Sequence, residues 1–351
     1  MHHLKEQFQS YFKPKKVTSI EYLGKGFWGE AYAINLTHNG KEEKIVIKTL
    51  LTEGNNYPLP IDQWYNYASS YHASNNIQFN ARVTDVIGLD KEGFHSVIPK
   101  EKYFQVLEYK KGKPYFDDVQ RIISERQYND DDVKKVKIIA QEIAKLHQKP
   151  IHIPEEAKKA VYYRVTREII TNSELMFPLF DNNYGKEKHW FEKEFENVFV
   201  ELFRAREKIK PHWKRLAYVH GDFWRGNMFF DGDKFFTLDA SRFPSGLGEP
   251  GVDVFSGGYS NYFMNALIQE GDYSGPLNEL GTIFMKEYIK HTKDEDIGKF
   301  MPFLFGSLLP ILMRPGIIGG SEENTRKVYQ TCLDALRKGE LKWKNLNKHL
   351  E

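Results

Sequence analysis

The hydrophobic pattern changes its period near residue 110. Before that point the apolar residues fall in short runs rich in β-branched and aromatic side chains, at 17–23, 31–35 and 44–48. Such runs predict strands. Asn39-Gly40 lies between the second and third, and this dipeptide favours the tight hairpin turn whose two central residues both take positive φ. A Gly/Asn/Pro-rich break at 54–60 precedes a predicted helix at about 61–73, and strands resume at 82–88, 95–98 and 103–109. Lys110-Lys111-Gly112-Lys113-Pro114 is polar and turn-forming, as a connection between lobes would be. Beyond it the period lengthens. Val133, Val136, Ile139, Ala140, Ile143 and Leu146 recur at three- and four-residue steps, which places one apolar stripe on a helix over 130–147, begun by acidic residues. Segments 164–176, 188–210 and most of 261–338 also read as helices, with one strand-like island at 217–238. The pattern predicts an α+β protein: a small antiparallel-sheet lobe over 1–109 and a larger, mainly helical lobe over 110–351.

Composition narrows the classes. With 40% hydrophobic and 15% aromatic residues in 351, the chain has ample material for a core, which excludes a disordered or fibrous protein. Fifty Lys+Arg against 48 Asp+Glu leave a net charge of +2, so charge gives no reason to expect a nucleic-acid partner. The single cysteine, Cys332, supports neither an internal disulfide nor a Cys-rich zinc site, and a reducing cytoplasm is the expected setting. The first residues lack the apolar core of a signal peptide, and no run of about 18 uncharged apolar residues occurs, so no membrane association is expected. The 12 histidines include no His-Glu-x-x-His metal motif.

Candidate chemistry begins with Gly24-Lys25-Gly26-Phe27-Trp28-Gly29, which fits G-x-G-x-x-G. A dinucleotide fingerprint would run from a strand into a helix with an acidic residue about 20 positions on. Here Gly24, Gly26 and Gly29 lie between two strands, and the chain continues through a third strand to Lys48. Glycines in such a hairpin let backbone close over phosphates, and a lysine on the third strand reaches them as a point charge.

The most informative stretch is Tyr218-Val219-His220-Gly221-Asp222-Phe223-Trp224-Arg225-Gly226-Asn227. Asp222 and Asn227 share a loop, followed by a hairpin of Met228-Phe229-Phe230, a turn at Asp231-Gly232-Asp233, and Phe235-Phe236-Thr237-Leu238 ending at Asp239. The hairpin is expected to bring Asp239 back beside Asn227, supplying a carboxylate and an amide oxygen as hard ligands for Mg²⁺. Asp222 then remains to accept a hydroxyl proton. His220 is expected to hold Asp222 through backbone hydrogen bonds. These are the parts a kinase needs.

On these residues the chain resembles the aminoglycoside phosphotransferase family, the small-molecule branch of the protein-kinase-like fold. The resemblance rests on His220-Gly221-Asp222 with Asn227, on Asp239, on Ile143-Ala144-Lys145-Leu146-His147 at a helix end, and on Gly248-Glu249-Pro250-Gly251-Val252-Asp253. It covers about residues 17–260. It implies a two-lobed fold and ATP and Mg²⁺ as cofactors, with a small-molecule hydroxyl compound as acceptor. It also implies Asp222 as catalytic base, Asn227 and Asp239 as metal ligands, and Lys48 as the phosphate lysine. Glu108 and Tyr109, ending Val106-Leu107-Glu108-Tyr109, take the place of the hinge whose backbone binds adenine. Asp253 is expected to anchor the loop near Asp222. One departure is that the predicted helix at 61–73 carries no glutamate to hold Lys48, which leaves Asp62 or some other group for that task.

Two alternatives stand beside a small-molecule kinase. A protein kinase is disfavoured by Gly221 in place of Arg, by Asp239-Ala240-Ser241 in place of Asp-Phe-Gly, and by the lack of an Ala-Pro-Glu segment. A nucleotide-binding regulatory protein without turnover is the other. Relatives in the family phosphorylate aminoglycosides, choline-like alcohols, homoserine and sugars, so the resemblance leaves the acceptor open. Glu249, Asp253, Glu270 and Asp272 are candidates to attract a cation, and Arg164 and Arg314-Pro315-Gly316 to attract an anion.

Overall fold

A computed structural model describes residues 2–26, 29–50, 60–90, 93–96, 102–171, 195–240, 243, 246–302 and 321–349. The chain divides into two compact units, Met1–Gly112 with Leu238–Gly246, and Lys113–Thr237 with Leu247–Glu351.

The first unit is built on a six-stranded antiparallel sheet. Its strands are β1 (Lys16–Lys25), β2 (Gly29–His38), β3 (Lys41–Leu50), β4 (Val83–Asp90), β5 (Gly93–Ser96) and β6 (Lys102–Glu108), in the order β1-β2-β3-β6-β4-β5. The β2–β3 turn is the one its sequence predicts: His38 pairs with Lys41, and Asn39 and Gly40 take φ of 50° and 75°. Alternation along the strands covers both faces. Ile45, Ile47, Ile87 and Val106 pack with Phe8 of helix α1 (His2–Tyr11), whose ring stacks on Phe94 at 4.4 Å. Val46, Val86 and Leu107 have the opposite parity and pack with Tyr67 of helix α2 (Pro60–Asn76) and with Leu238. Helix α1 has no counterpart in the pattern reading.

In the second unit, β7 (Lys113–Pro114) leads into α3 (Tyr115–Glu125), α4 (Asp130–His147), α5 (Glu155–Thr171) and α6 (Phe195–Ile209). Helix α4 runs over the predicted range because Asn129 and Asp132 close a capping box at its start. The short strand β8 (Ala217–Tyr218) pairs with β11 (Leu247–Gly248), while β9 (Met228–Asp231), β10 (Lys234–Thr237) and β7 form a three-stranded sheet. The four phenylalanines of the β9–β10 hairpin pack on one another, Phe229 on Phe236 at 5.5 Å and Phe230 against Phe235 at 5.3 Å. After Gly251–Val254 the helix turns π-helical over Phe255–Met264 and returns to α form over Asn265–Glu270. Long helices at Gly275–Thr292 and Glu322–Lys338 follow.

The structure thus has the small antiparallel sheet and the larger helical part expected of an α+β chain. Its two units divide after Gly112 rather than after residue 109, and one later segment changes sides. Leu238–Gly246, which the pattern reading assigned to the helical lobe, belongs to the sheet unit, because Leu238 packs in that unit's second core. No helix among the described residues is long and apolar enough to cross a membrane.

Candidate active site

Lys48 and Asp239 meet within the first unit. Lys48 shares the parity of Val46, so its side chain leaves β3 on the face where Leu238 packs, and Asp239 is the next residue. The Lys48 ammonium forms a hydrogen-bonded ion pair with Asp239 Oδ1 across 191 positions of sequence. Among the described residues, Asp239 is the carboxylate that holds the lysine. The Asp62 side chain lies outside the described residues. Asp239 takes φ of 62°, a left-handed conformation that a non-glycine residue adopts at a cost. The strain turns the chain at the residue that bears the carboxylate.

The glycine loop tops the same sheet. Gly26 N–H donates to Gly29 O at 2.9 Å and Lys25 pairs with Glu30, which closes a tight turn; Phe27 and Trp28 lie outside the described residues. Gly24 follows an irregularity in the β1 register and takes φ of +148°. A Cβ on Gly24 would meet nothing within 4 Å, and one on Gly26 only Gly29 O at 3.9 Å. Among the described residues, nothing else stands beside either glycine. At the other predicted cofactor position, Glu108 N–H is taken by Arg82 O at 3.0 Å, and the Tyr109 ring lies 4.5 Å from Lys44 Nζ.

Asp222 and Asn227 meet within the second unit. Pairing of β8 with β11 brings Asp253 under the loop that follows β8. Asp253, fully buried, accepts from His220 N–H at 2.7 Å and from Gly221 N–H at 2.8 Å, and its Oδ2 lies 3.2 Å from His147 Nε2. Gly221 takes φ of 84°, which reserves the position for glycine. Asp222 N–H donates to His220 Nδ1 at 3.3 Å, the holding role expected of that histidine. Asn227 Nδ2 donates to Asp222 O at 3.0 Å and to Asp222 Oδ2 at 2.8 Å. The amide nitrogen is thereby committed, and Asn227 Oδ1 is the atom left to act as a ligand.

The loop is also held by the π-helix. A Cβ at Gly257 would stand 2.6 Å from the Phe223 ring, so only glycine admits this buried phenylalanine. Asn261 Oδ1 accepts from Arg225 N–H at 3.0 Å. Trp224 folds over Gly226, where a Cβ would lie 2.4 Å from its ring. Asn261 and Gly257 carry no motif of their own; a pair of glycines before an asparagine in an otherwise helical segment is their one signal in the sequence. Burial pushes the Arg225 guanidinium down to about 10, and the hydroxyls of Tyr115 and Tyr262 work the other way.

Of the carboxylates that are candidates to attract a cation, Glu249, Asp253 and Glu270 are engaged within the fold, while Asp272 is exposed. Glu249 is fully buried, with Arg215 donating to it at 2.9 Å and Tyr162 OH at 2.7 Å. Arg215 also binds Asp294 at 2.7 Å. Glu270 pairs with Arg126, and Asp272 accepts from Ser274. Arg164 lies 3.5 Å from Glu168, and Arg314-Pro315-Gly316 is outside the described residues.

No known family profile matches the chain. No curated protein matches it either. Solved structures do. A spectinomycin phosphotransferase in complex with ADP and spectinomycin aligns at a TM-score of 0.47 and 11% identity, over 98% of this chain and 92% of that one. A Plasmodium vivax ethanolamine kinase aligns at 0.48 and 14%, over 97% and 83%. A GDP complex of an aminoglycoside 2′-phosphotransferase aligns at 0.46 and 12%, over 99% and 97%.

Proposed function

We propose that this protein is an ATP-dependent small-molecule kinase that transfers the γ-phosphoryl group of ATP to a substrate hydroxyl. The observation that carries the reading is the meeting of Lys48 with Asp239, two residues picked separately as phosphate lysine and metal carboxylate. In this reading Lys48 offsets charge on the nucleotide's phosphates, and the backbone at Gly24 and Gly26 approaches their oxygens. Asp222 orients the acceptor alcohol and takes its proton, and Asn227 fixes the Asp222 carboxylate by donating to Oδ2.

The donor chemistry fits Mg²⁺. Asn227 Oδ1 and the Asp239 carboxylate are hard oxygen donors, the kind magnesium takes. Magnesium, when bound, would supply charge neutralisation on the phosphates.

The test is ligand-induced thermal stabilisation by Mg²⁺ with a non-hydrolysable ATP analogue, on the wild type and on Lys48→Met. The wild type is expected to be stabilised, by about 2.7 kcal/mol at a ligand concentration of a hundred times Kd. Lys48→Met is expected to lose most of that shift. Its own stability should change by no more than about 1 kcal/mol, because the pair is partly solvated, with 26% and 37% of the side chains exposed. Equal stabilisation of both proteins would remove the phosphate role from Lys48.

A further inference from the structure

Arg225 stands between Asp222 and Asn227, and its main chain is fixed. Its N–H donates to Asn261 Oδ1 at 3.0 Å, Asn261 Nδ2 in turn donates to Gly257 O at 3.2 Å, and Asn227 N–H donates to Trp224 O at 2.9 Å. The side chain is treated differently. Its guanidinium carbon lies 5.4 Å from the centroid of the Phe116 ring, Nε is sealed from solvent without a hydrogen-bond partner, and no carboxylate among the described residues pairs with it.

Three other arginines of this unit have carboxylate partners. Arg121 grips Asp132 with two hydrogen bonds of 2.6 Å, Arg126 pairs with Glu270, and Arg215 with Glu249 and Asp294. The nearby Asp118 is likewise bound by Lys135 at 3.0 Å. A cation partly withdrawn from water without a counter-charge is a net cost to the fold. A guanidinium held so, with its N–H fork uncommitted, is preorganised for a planar oxyanion.

We propose that Arg225 is the recognition residue for an anionic oxygen group, a carboxylate or phosphate, on a small molecule bound at the 220–227 loop. The proposal rests on the phosphotransferase reading for the location of the site, and it narrows the ligand. The two sources of such a group are an acidic substituent on the acceptor and a phosphate of the nucleotide. The engagement of Glu249, Asp253 and Glu270 within the fold leaves the exposed Asp272 alone of the four carboxylates that would have favoured a cationic acceptor.

The test compares wild type, Arg225→Gln and Arg225→Lys by thermal unfolding, without ligand and with glycerate, glycerol or Mg-ADP. Without ligand, Arg225→Gln is expected to melt about 2 °C or more higher, because the uncompensated charge is gone. A lower melting temperature would mark Arg225 as merely structural and overturn the proposal. Glycerate, but not glycerol, is expected to stabilise the wild type, with affinity reduced about tenfold or more in Arg225→Gln and partly restored in Arg225→Lys. Loss of the Mg-ADP shift in Arg225→Gln would instead assign the anion to the nucleotide. If neither shift depends on residue 225, the proposal fails. If Mg-ADP gives no shift in any of the proteins while glycerate binding still depends on Arg225, the kinase reading fails and the anion site stands.

Discussion

Asp253 should be the most sensitive position in the second unit. Its carboxylate is fully buried and accepts two backbone N–H bonds, from His220 at 2.7 Å and Gly221 at 2.8 Å. Replacement by alanine leaves both donors in a space closed to water. Hydrogen bonds to a charged group contribute about 1.5–3 kcal/mol each, so Asp253→Ala should lose about 3–6 kcal/mol. The contact with His147 Nε2 at 3.2 Å adds to that loss. Asp253→Asn keeps one acceptor oxygen and turns an amide N–H toward the other donor, so it should fall between the two. Urea unfolding followed by circular dichroism measures the difference, with the midpoint rather than the slope carrying the change. The same substitution frees the turn that presents Asp222, so turnover should fall by a larger factor than the acceptor KM rises. An Asp253→Ala protein within about 1 kcal/mol of wild type would refute the reasoning, since an orphaned buried donor costs more than that.

Two further outcomes follow from local geometry. Gly226→Ala would place a Cβ 2.4 Å from the Trp224 ring and should cost about 1–3 kcal/mol as an overpacked site. Adding Trp224→Ala should recover most of it, and additivity of the two losses in a double-mutant cycle would contradict the contact. Burial pushes the Glu287 carboxyl up, yet hydrogen bonds from Gln141 and His291 and the charge of Lys290 bring it below its ordinary value. A carboxyl lowered in the folded state adds stability above its unfolded pKa, and that stability is lost as pH falls through the folded value. Glu287→Gln should therefore flatten the acid arm of the stability profile below about pH 5, and an unchanged arm would exclude this contribution.

Local chemistry is what the sequence disclosed best. Strand parity set Lys48 on the face of Val46, the Asn39-Gly40 turn fixed the β2–β3 register, and the Asn129–Asp132 box began α4 where the apolar stripe does. The Asp222–Asn227 loop was legible because Gly221 requires positive φ, a backbone demand that leaves its mark on residue type. Long-range partners were not legible. Lys48 finds Asp239 across 191 positions, and Glu249 finds Arg215 across 34, through packing that no spacing rule encodes. Glu249 looked available for a ligand because residue type alone does not report burial. The π-helix escaped for a related reason. Its wider turn is stabilised by tertiary fit, with Phe223 against Gly257 and Phe284 against Gly258, and by Asn265 Nδ2 donating to Ser260 O at 2.7 Å. Helix α1 is fixed by Phe8 on Phe94, again a contact between distant segments.

The proposed chemistry turns on Asp222 accepting the acceptor's proton during phosphoryl transfer from ATP. It is tested most directly by ADP release from Mg-ATP across a panel of hydroxyl compounds, acidic ones included, with wild type and Asp222→Asn side by side. The wild type is expected to turn over at least one compound, and Asp222→Asn to show a kcat about 10²–10⁴ lower with nucleotide binding retained. An Asp222→Asn protein turning over at the wild-type rate, or a wild type that binds Mg-ATP and phosphorylates no hydroxyl, would contradict it.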